Sequence, residues 1–280
     1  MPRPKAKKQV KGKPSKRRLP WFGWLLIALA IAGIVAFIRI YPIGQPPDNT
    51  GKPKAAIVDQ LSSFRENEAF ITNVTSELEG YGFKVDLYQG DNITVDFYRG
   101  LSGRGYKLIV FRAHSGILQG ENQTYYKTTL FTNEKYSTVK YVSDQLNDRL
   151  FEASIAEGYP WVFSISPKFI SESMTKKFDH TVIIMMGCSG IYLPDLAEAF
   201  IDKGASVYLA WDASVLLDYT DEATLHLIKQ LCSENVTIKE AVDSTMDVIG
   251  PDPKYGAELK YYPSDYPSET GDKTLEELIR

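Results

Sequence analysis

Apolar residues fall along this chain in three patterns. From Trp21 to Ile38 no charge interrupts the run WFGWLLIALAIAGIVAFI. At about 1.5 Å per residue it spans ~27 Å as a helix, close to the ~30 Å hydrocarbon thickness of a bilayer. It has no polar face, so it does not read as a core helix. Trp21, Trp24 and Tyr41 flank it, as aromatic rings do at membrane interfaces. Residues 42–54 are then rich in Pro and Gly and read as a linker.

From Lys54 onward short apolar runs alternate with amphipathic stretches. Strands are predicted at 54–59, 83–88 and 205–210, and as near-continuous apolar runs at 106–111 and 181–186. Helices are predicted at 61–80, 196–201, 220–232 and 237–249, with stops at Gly80-Tyr81-Gly82, Gly204 and Gly250-Pro251. Residues 93–101 fit a strand or a short helix opening at Thr94. Such alternation predicts an α/β fold with a mostly parallel sheet. Residues 117–180 are polar and Tyr-rich, and break the rhythm as an insertion would.

Charge adds topology to this picture. Residues 1–18 carry nine Lys/Arg and no acid. With those nine and Arg39 set aside, 22 bases face 35 acids, so the part after residue 40 carries −13. The positive-inside rule puts the tail in the cytoplasm and the body outside. A cleaved signal peptide fits less well: Ala28, Ala30 and Ala32 lie inside the apolar run, and Arg39-Ile40-Tyr41-Pro42 follows it. The expected organisation is a basic cytoplasmic tail (1–20), one transmembrane helix (21–41), a linker (42–54) and an extracytoplasmic domain (55–280), in a single-pass protein of the cell membrane. Asn-x-Thr triplets at Asn73, Asn92, Asn122 and Asn235 permit glycosylation there. An acidic body argues against nucleic acid as a partner. The 44% apolar content excludes global disorder, and two Cys exclude a disulfide-dense scaffold.

Candidate chemistry sits at two strand ends, where open α/β sheets bind ligands. One reads Val110-Phe-Arg-Ala-His114-Ser115-Gly116, the other Met185-Met-Gly187-Cys188-Ser-Gly190. On adjacent parallel strands, His114 and Cys188 would share one sheet edge. An imidazole beside a thiol is the arrangement that generates a nucleophile. His180, before a strand, and His226, in a helix, read as structural. No His-Glu-x-x-His, Cys-x-x-Cys, Gly-x-Ser-x-Gly or phosphate loop occurs, so neither metal nor cofactor is expected.

A strand ending in His-(Ser)-Gly, followed by a later strand ending in small-Cys-x-Gly, resembles the caspase-like clan of cysteine peptidases. Leu196-Ala-Glu-Ala-Phe-Ile-Asp-Lys-Gly-Ala-Ser-Val-Tyr-Leu-Ala-Trp211 is similar to the run after the catalytic Cys in gingipain-like domains. The resemblance spans roughly residues 55–250. It implies a three-layer caspase-like fold, an endopeptidase acting on protein or peptide through Cys188 and His114, and an oxyanion hole from the Cys188 amide and one near Gly116. Many clan members place Gly directly after the His, whereas Ser115 intervenes here, so the donor is the Ser115 or the Gly116 amide. By the same resemblance Trp211 and Asp212 are substrate-binding candidates, Asp212 selecting Arg or Lys. The opposing view of Asp212, Asp218 and Asp221 is solvated loop acids, with Asp221 capping a helix before residue 222. Two alternatives compete with the enzyme: a catalytically inactive binding or receptor module with a Cys188–Cys232 disulfide, and a scaffold recruiting a protein through 117–180.

Overall fold

The structure, a computed structural model, describes residues 51–119, 126–264 and 269–280. The basic tail, the apolar segment 21–41, residues 42–50 of the linker and the Asn122 triplet lie outside these residues. Among the described residues no helix is long and apolar enough to cross a membrane. Asn73, Asn92 and Asn235 are all exposed.

Lys52–Arg280 forms a unit of its own, built on a six-stranded sheet. Strands β1 (Lys54–Asp59), β2 (Lys84–Gln89), β3 (Tyr106–Arg112), β8 (Thr181–Met185) and β9 (Ala205–Trp211) are parallel, in the order β2-β1-β3-β8-β9. Strand β10 (Leu259–Tyr262), which the sequence reading did not assign, closes the edge antiparallel to β9. The mixed α/β class with a mostly parallel central sheet is therefore as expected. Alternate residues of the three central runs enter two apolar cores. Leu108, Val110, Ile184 and Leu209 face one, shared with helices α1 (Glu68–Tyr81), α6 (Leu217–Leu231), α7 (Ile238–Val248) and α8 (Leu275–Ile279). Ile109, Phe111, Ile183 and Met185 face the other, shared with α2 (Val95–Leu101), α4 (Pro167–Ser173) and α5 (Asp195–Asp202). Each such side chain, once buried, contributes about 1.5–3 kcal/mol before entropy is counted.

Local chemistry corrects several boundaries. The segment expected as one helix over 61–80 is a 3-10 turn at Gln60–Ser63 and then α1. Asn67 caps α1 by accepting the Phe70 N–H at 3.1 Å, and Gly82 at φ +117° ends it. Thr94 caps α2 in the same way, accepting from Phe97 N, so the ambiguous 93–101 is a helix. The polar insertion forms a second, antiparallel sheet of β4 (Ser115–Gln119), β5 (Tyr126–Lys135), β7 (Val162–Ile165) and β6 (Leu150–Ala153), in that order, with helix α3 (Val142–Leu146) before β6. Its buried face, Leu130, Leu150, Phe163 and Ile165, joins the second core. Only Ala113 and His114 separate β3 from β4, so His114 sits where the chain passes between sheets.

Candidate active site

Strands β3 and β8 pair in parallel with Phe111 opposite Met185, so His114 and Cys188 each lie three residues past a matched pair. The two segments approach closely. A Cβ on Gly187 would lie 2.3 Å from Ser115 Oγ and 2.5 Å from the Ala113 oxygen, so no side chain fits there. Ser115 Oγ donates to the Cys188 carbonyl at 2.8 Å. The next residue, Ser189, holds a left-handed φ of +54° with its N–H on the Ala213 oxygen at 2.8 Å. A non-glycine residue in that region stores strain, a feature that gathers at functional turns.

His114 is held on three sides. Its N–H donates to Gln60 Oε1 at 2.9 Å, and its carbonyl accepts from Phe131 N at 3.0 Å. The rings of Phe64 and Phe131 lie 5.5 and 5.9 Å from the imidazole. Nε2 is buried and has no hydrogen-bond partner. Burial and, after it, the nearby Arg112 guanidinium push the imidazole down to about 4, so it is neutral at pH 7. Cys188 is half-buried. Its Sγ is bracketed by one residue, accepting from Val215 N at 3.5 Å and facing Val215 O at 3.6 Å. Among the described residues no hydrogen bond joins Cys188 to His114.

Backbone donors follow from the ladder. Phe131 N donates to His114 O, so the 114/131 pair is hydrogen-bonded; alternation then bonds Gly116 with Thr129 and turns the Ser115 amide off the ladder. Of the two candidate donors, Ser115 is therefore the one whose N–H stays available. The Cys188 amide is likewise engaged by no described residue.

Beneath His114 lies a charge cluster that the sequence reading missed. Arg112 is wholly buried and uses every guanidinium nitrogen. Nε and Nη2 reach Asp221 Oδ1 and Oδ2 at 2.8 and 2.9 Å; Nη1 reaches Asp59 Oδ1 at 2.8 Å and the Arg65 oxygen at 2.9 Å. Asn67 Nδ2 adds a bond to Asp221 Oδ2 at 2.8 Å. Asp221 is thus neither a cap nor a solvated acid: α6 begins at Leu217, and Asp221 is 4% exposed inside it. Asp218 does match the exposed reading, pairing with Arg65 at 2.8 Å.

The substrate-binding candidates need correction. Trp211 is 1% exposed, with its indole N–H on Thr220 Oγ1 at 2.8 Å, so it is a core side chain with no surface for a ligand. Asp212 is half-buried and exchanges bonds with Glu258, Oδ1 accepting the Glu258 N–H at 2.8 Å. A concavity of ≈ 480 Å³ opens instead between Phe64-Arg65 and Leu216-Leu217, with Asp218, Tyr219 and Glu222 completing it. Phe64 touches His114, and Leu216 adjoins the Val215 that brackets Cys188. Asp252 fixes that loop: its carboxylate accepts the amides of Leu216, Lys254 and Tyr255 at 2.7–2.9 Å.

Both cysteines are free thiols, so the Cys188–Cys232 disulfide is not formed. Burial and then Glu77 push the Cys232 thiol up to about 12, which makes it a poor nucleophile. His226 packs between α6 and α7, its Nδ1 3.2 Å from Thr245 Oγ1. No group of three or more His, Cys, Asp or Glu is arranged to hold a metal among the described residues. Compared with known proteins, the chain matches no family model and no curated sequence.

Proposed function

We propose that the domain is a cysteine endopeptidase of the caspase-like kind, with Cys188 as nucleophile and His114 as general base. The observation that carries this reading is the juxtaposition at one sheet edge: a buried, neutral, unpartnered imidazole nitrogen on the strand end next to the one bearing a half-buried thiol. In the proposed reaction Nε2 takes the Sγ–H proton while sulfur attacks the scissile carbonyl carbon. The carbonyl oxygen becomes an oxyanion facing the Ser115 and Cys188 amides. Collapse breaks the C–N bond, the imidazolium returns its proton to the leaving amine, and water then hydrolyses the thioester. A peptide side chain beside the cleaved bond enters the concavity at Phe64 and Leu216. Of the acids there, Asp218 is already paired with Arg65, so Glu222 supports the expected preference for a basic residue better than Asp212 does, whose Oδ1 is taken by Glu258.

The N-terminal tail and segment 21–41 belong to the same proposal: a membrane anchor with the catalytic domain outside. Protease added to intact cells then digests the body and spares the tail; a protected body contradicts the orientation.

A second reading, a caspase-like binding module without catalysis, is favoured by one observation, the engagement of Cys188 Sγ by Val215 in place of His114. Peptide mass mapping after incubation with a peptidyl chloromethyl ketone, whose thioether is not hydrolysed, separates the two. The peptidase reading expects one adduct, on Cys188; a chain that takes up no adduct supports the binding module.

A further inference from the structure

Every hydrogen bond made by the Arg112 guanidinium goes to one of three pieces of chain, and those pieces carry the walls of the site. The first is Asp59, at the end of β1 and next to Gln60, whose amide oxygen receives the His114 N–H. The second is the Arg65 carbonyl, next to Phe64, whose ring edges His114. The third is Asp221 of α6, the helix that the Val215–Leu216 loop leads into and that therefore sets where Cys188 Sγ is bracketed. Asn67 to Asp221 and Arg65 to Asp218 repeat the bridge between the same two walls. A planar fork reaches two carboxylates and a carbonyl at once, which an ammonium does not.

From this we infer that Arg112 is the positioning residue of the site, coupling the wall that holds His114 to the wall that holds Cys188 although it bonds to neither side chain. The inference takes its meaning from the peptidase reading, yet its test needs no turnover. The groups facing His114 are Arg112 on its own strand, Phe64 and Gln60 from the turn after β1, Phe131 from β5 and the Cys188 turn after β8. Behind Arg112 stand Asp59 and Asp221.

The experiment compares full-length wild type with Arg112→Lys, which keeps the charge and loses the fork, and Asp221→Asn, which keeps the shape and loses the charge. Lys239→Ala, which removes an exposed ion pair with Asp243 on α7 away from the site, is the control. Two quantities are read: the rate at which iodoacetamide alkylates Cys188, by mass spectrometry, and the NMR titration of the His114 ring, with His180 at the opposite edge of the sheet as internal reference. Positioning predicts that both buried-site variants change the alkylation rate by about five-fold or more and raise the His114 midpoint, as Phe64 and Gln60 loosen and water enters. His180 stays put, and Lys239→Ala stays within about two-fold. A purely electrostatic role predicts otherwise: no His114 shift in Arg112→Lys and a lower midpoint in Asp221→Asn, where a negative neighbour is lost. That pattern overturns the inference, as do native-like variants with wild-type alkylation and titration. If Arg112→Lys does not fold, Asp221→Asn decides alone. Loss of the fold in both also overturns it, because the pair then holds the domain and not the site. A wild type that shows the coupling but cleaves no peptide leaves the coupling standing and removes the peptidase reading.

Discussion

Ser115 Oγ donates to the carbonyl of Cys188 at 2.8 Å, so the residue after the proposed base grips the backbone of the proposed nucleophile. The two strand ends are thereby fixed by a side chain that takes no part in proton transfer. Ser115→Ala leaves that carbonyl without its partner and is expected to cost about 1 kcal/mol of stability. The backbone amide remains, so peptidase activity falls by about ten-fold or less. Urea unfolding and kcat/KM check the two halves separately.

Gly187 is required by space and not by φ. A methyl group there collides with Ser115 Oγ and the Ala113 carbonyl, and the carbonyl is not free to swing away. Gly187→Ala is expected to cost about 3 kcal/mol, the upper part of the usual overpacking range, and to abolish labelling of Cys188. Thermal unfolding together with thiol labelling tests both. A variant as stable and as reactive as wild type contradicts the close approach of β3 and β8.

His114 sets the acid side of the pH behaviour. Its folded-state value of about 4 lies below the ordinary 6.5, so the fold favours the neutral ring. That contribution to stability is complete above about pH 6.5 and is lost as pH falls toward 4. The acid limb of kcat/KM therefore has its midpoint near 4, and removing the His114 ring flattens the stability loss over that window. A midpoint near 6.5 shows a ring exposed to water.

Asp252 holds the Leu216 amide and so the loop that brackets Cys188. Burial opposes its ionisation, but the amides of Leu216, Tyr255 and Lys254 outweigh this and keep the carboxyl below its usual range. The tie therefore persists at neutral pH and is lost only as pH falls through that lowered value. Asp252→Asn removes one acceptor and the charge, with an expected loss of about 2 kcal/mol. Cys188 in this variant should alkylate faster than in wild type, because the Val215 bracket loosens.

Trp211→Phe keeps an aromatic ring in the core but loses the bond to Thr220. About 1–2 kcal/mol of stability should go, with no change in which peptides are cleaved. A changed cleavage preference would place Trp211 back in the binding surface.

The sheet was legible because a strand covered on both faces must be apolar through its middle, and 108–111 and 182–186 were, with the polar Lys107 and Thr181 only near the strand starts. The shared edge of His114 and Cys188 followed from their places at the ends of two such runs. Asp221 was not legible. An acid early in an amphipathic helix looks the same whether water or a guanidinium takes its charge, and its partner Arg112 lies 109 positions away. Trp211 misled because a strand end is also where a core ring closes the layer. The second sheet was hidden because buried Thr128, Thr129 and Thr132 interrupt β5, so it makes no continuous apolar run.

The central claim is that peptide bonds break at Cys188, with His114 as the base. Full-length wild type, Cys188→Ala and His114→Ala are incubated with a panel of peptides carrying Arg, Lys, Asp, Asn or Leu before the reporter, and the products are read by mass spectrometry. Wild type should cleave, favouring Arg or Lys; Cys188→Ala should be inactive, and His114→Ala slower by about a hundred-fold or more. Cleavage by Cys188→Ala at the wild-type rate contradicts the account.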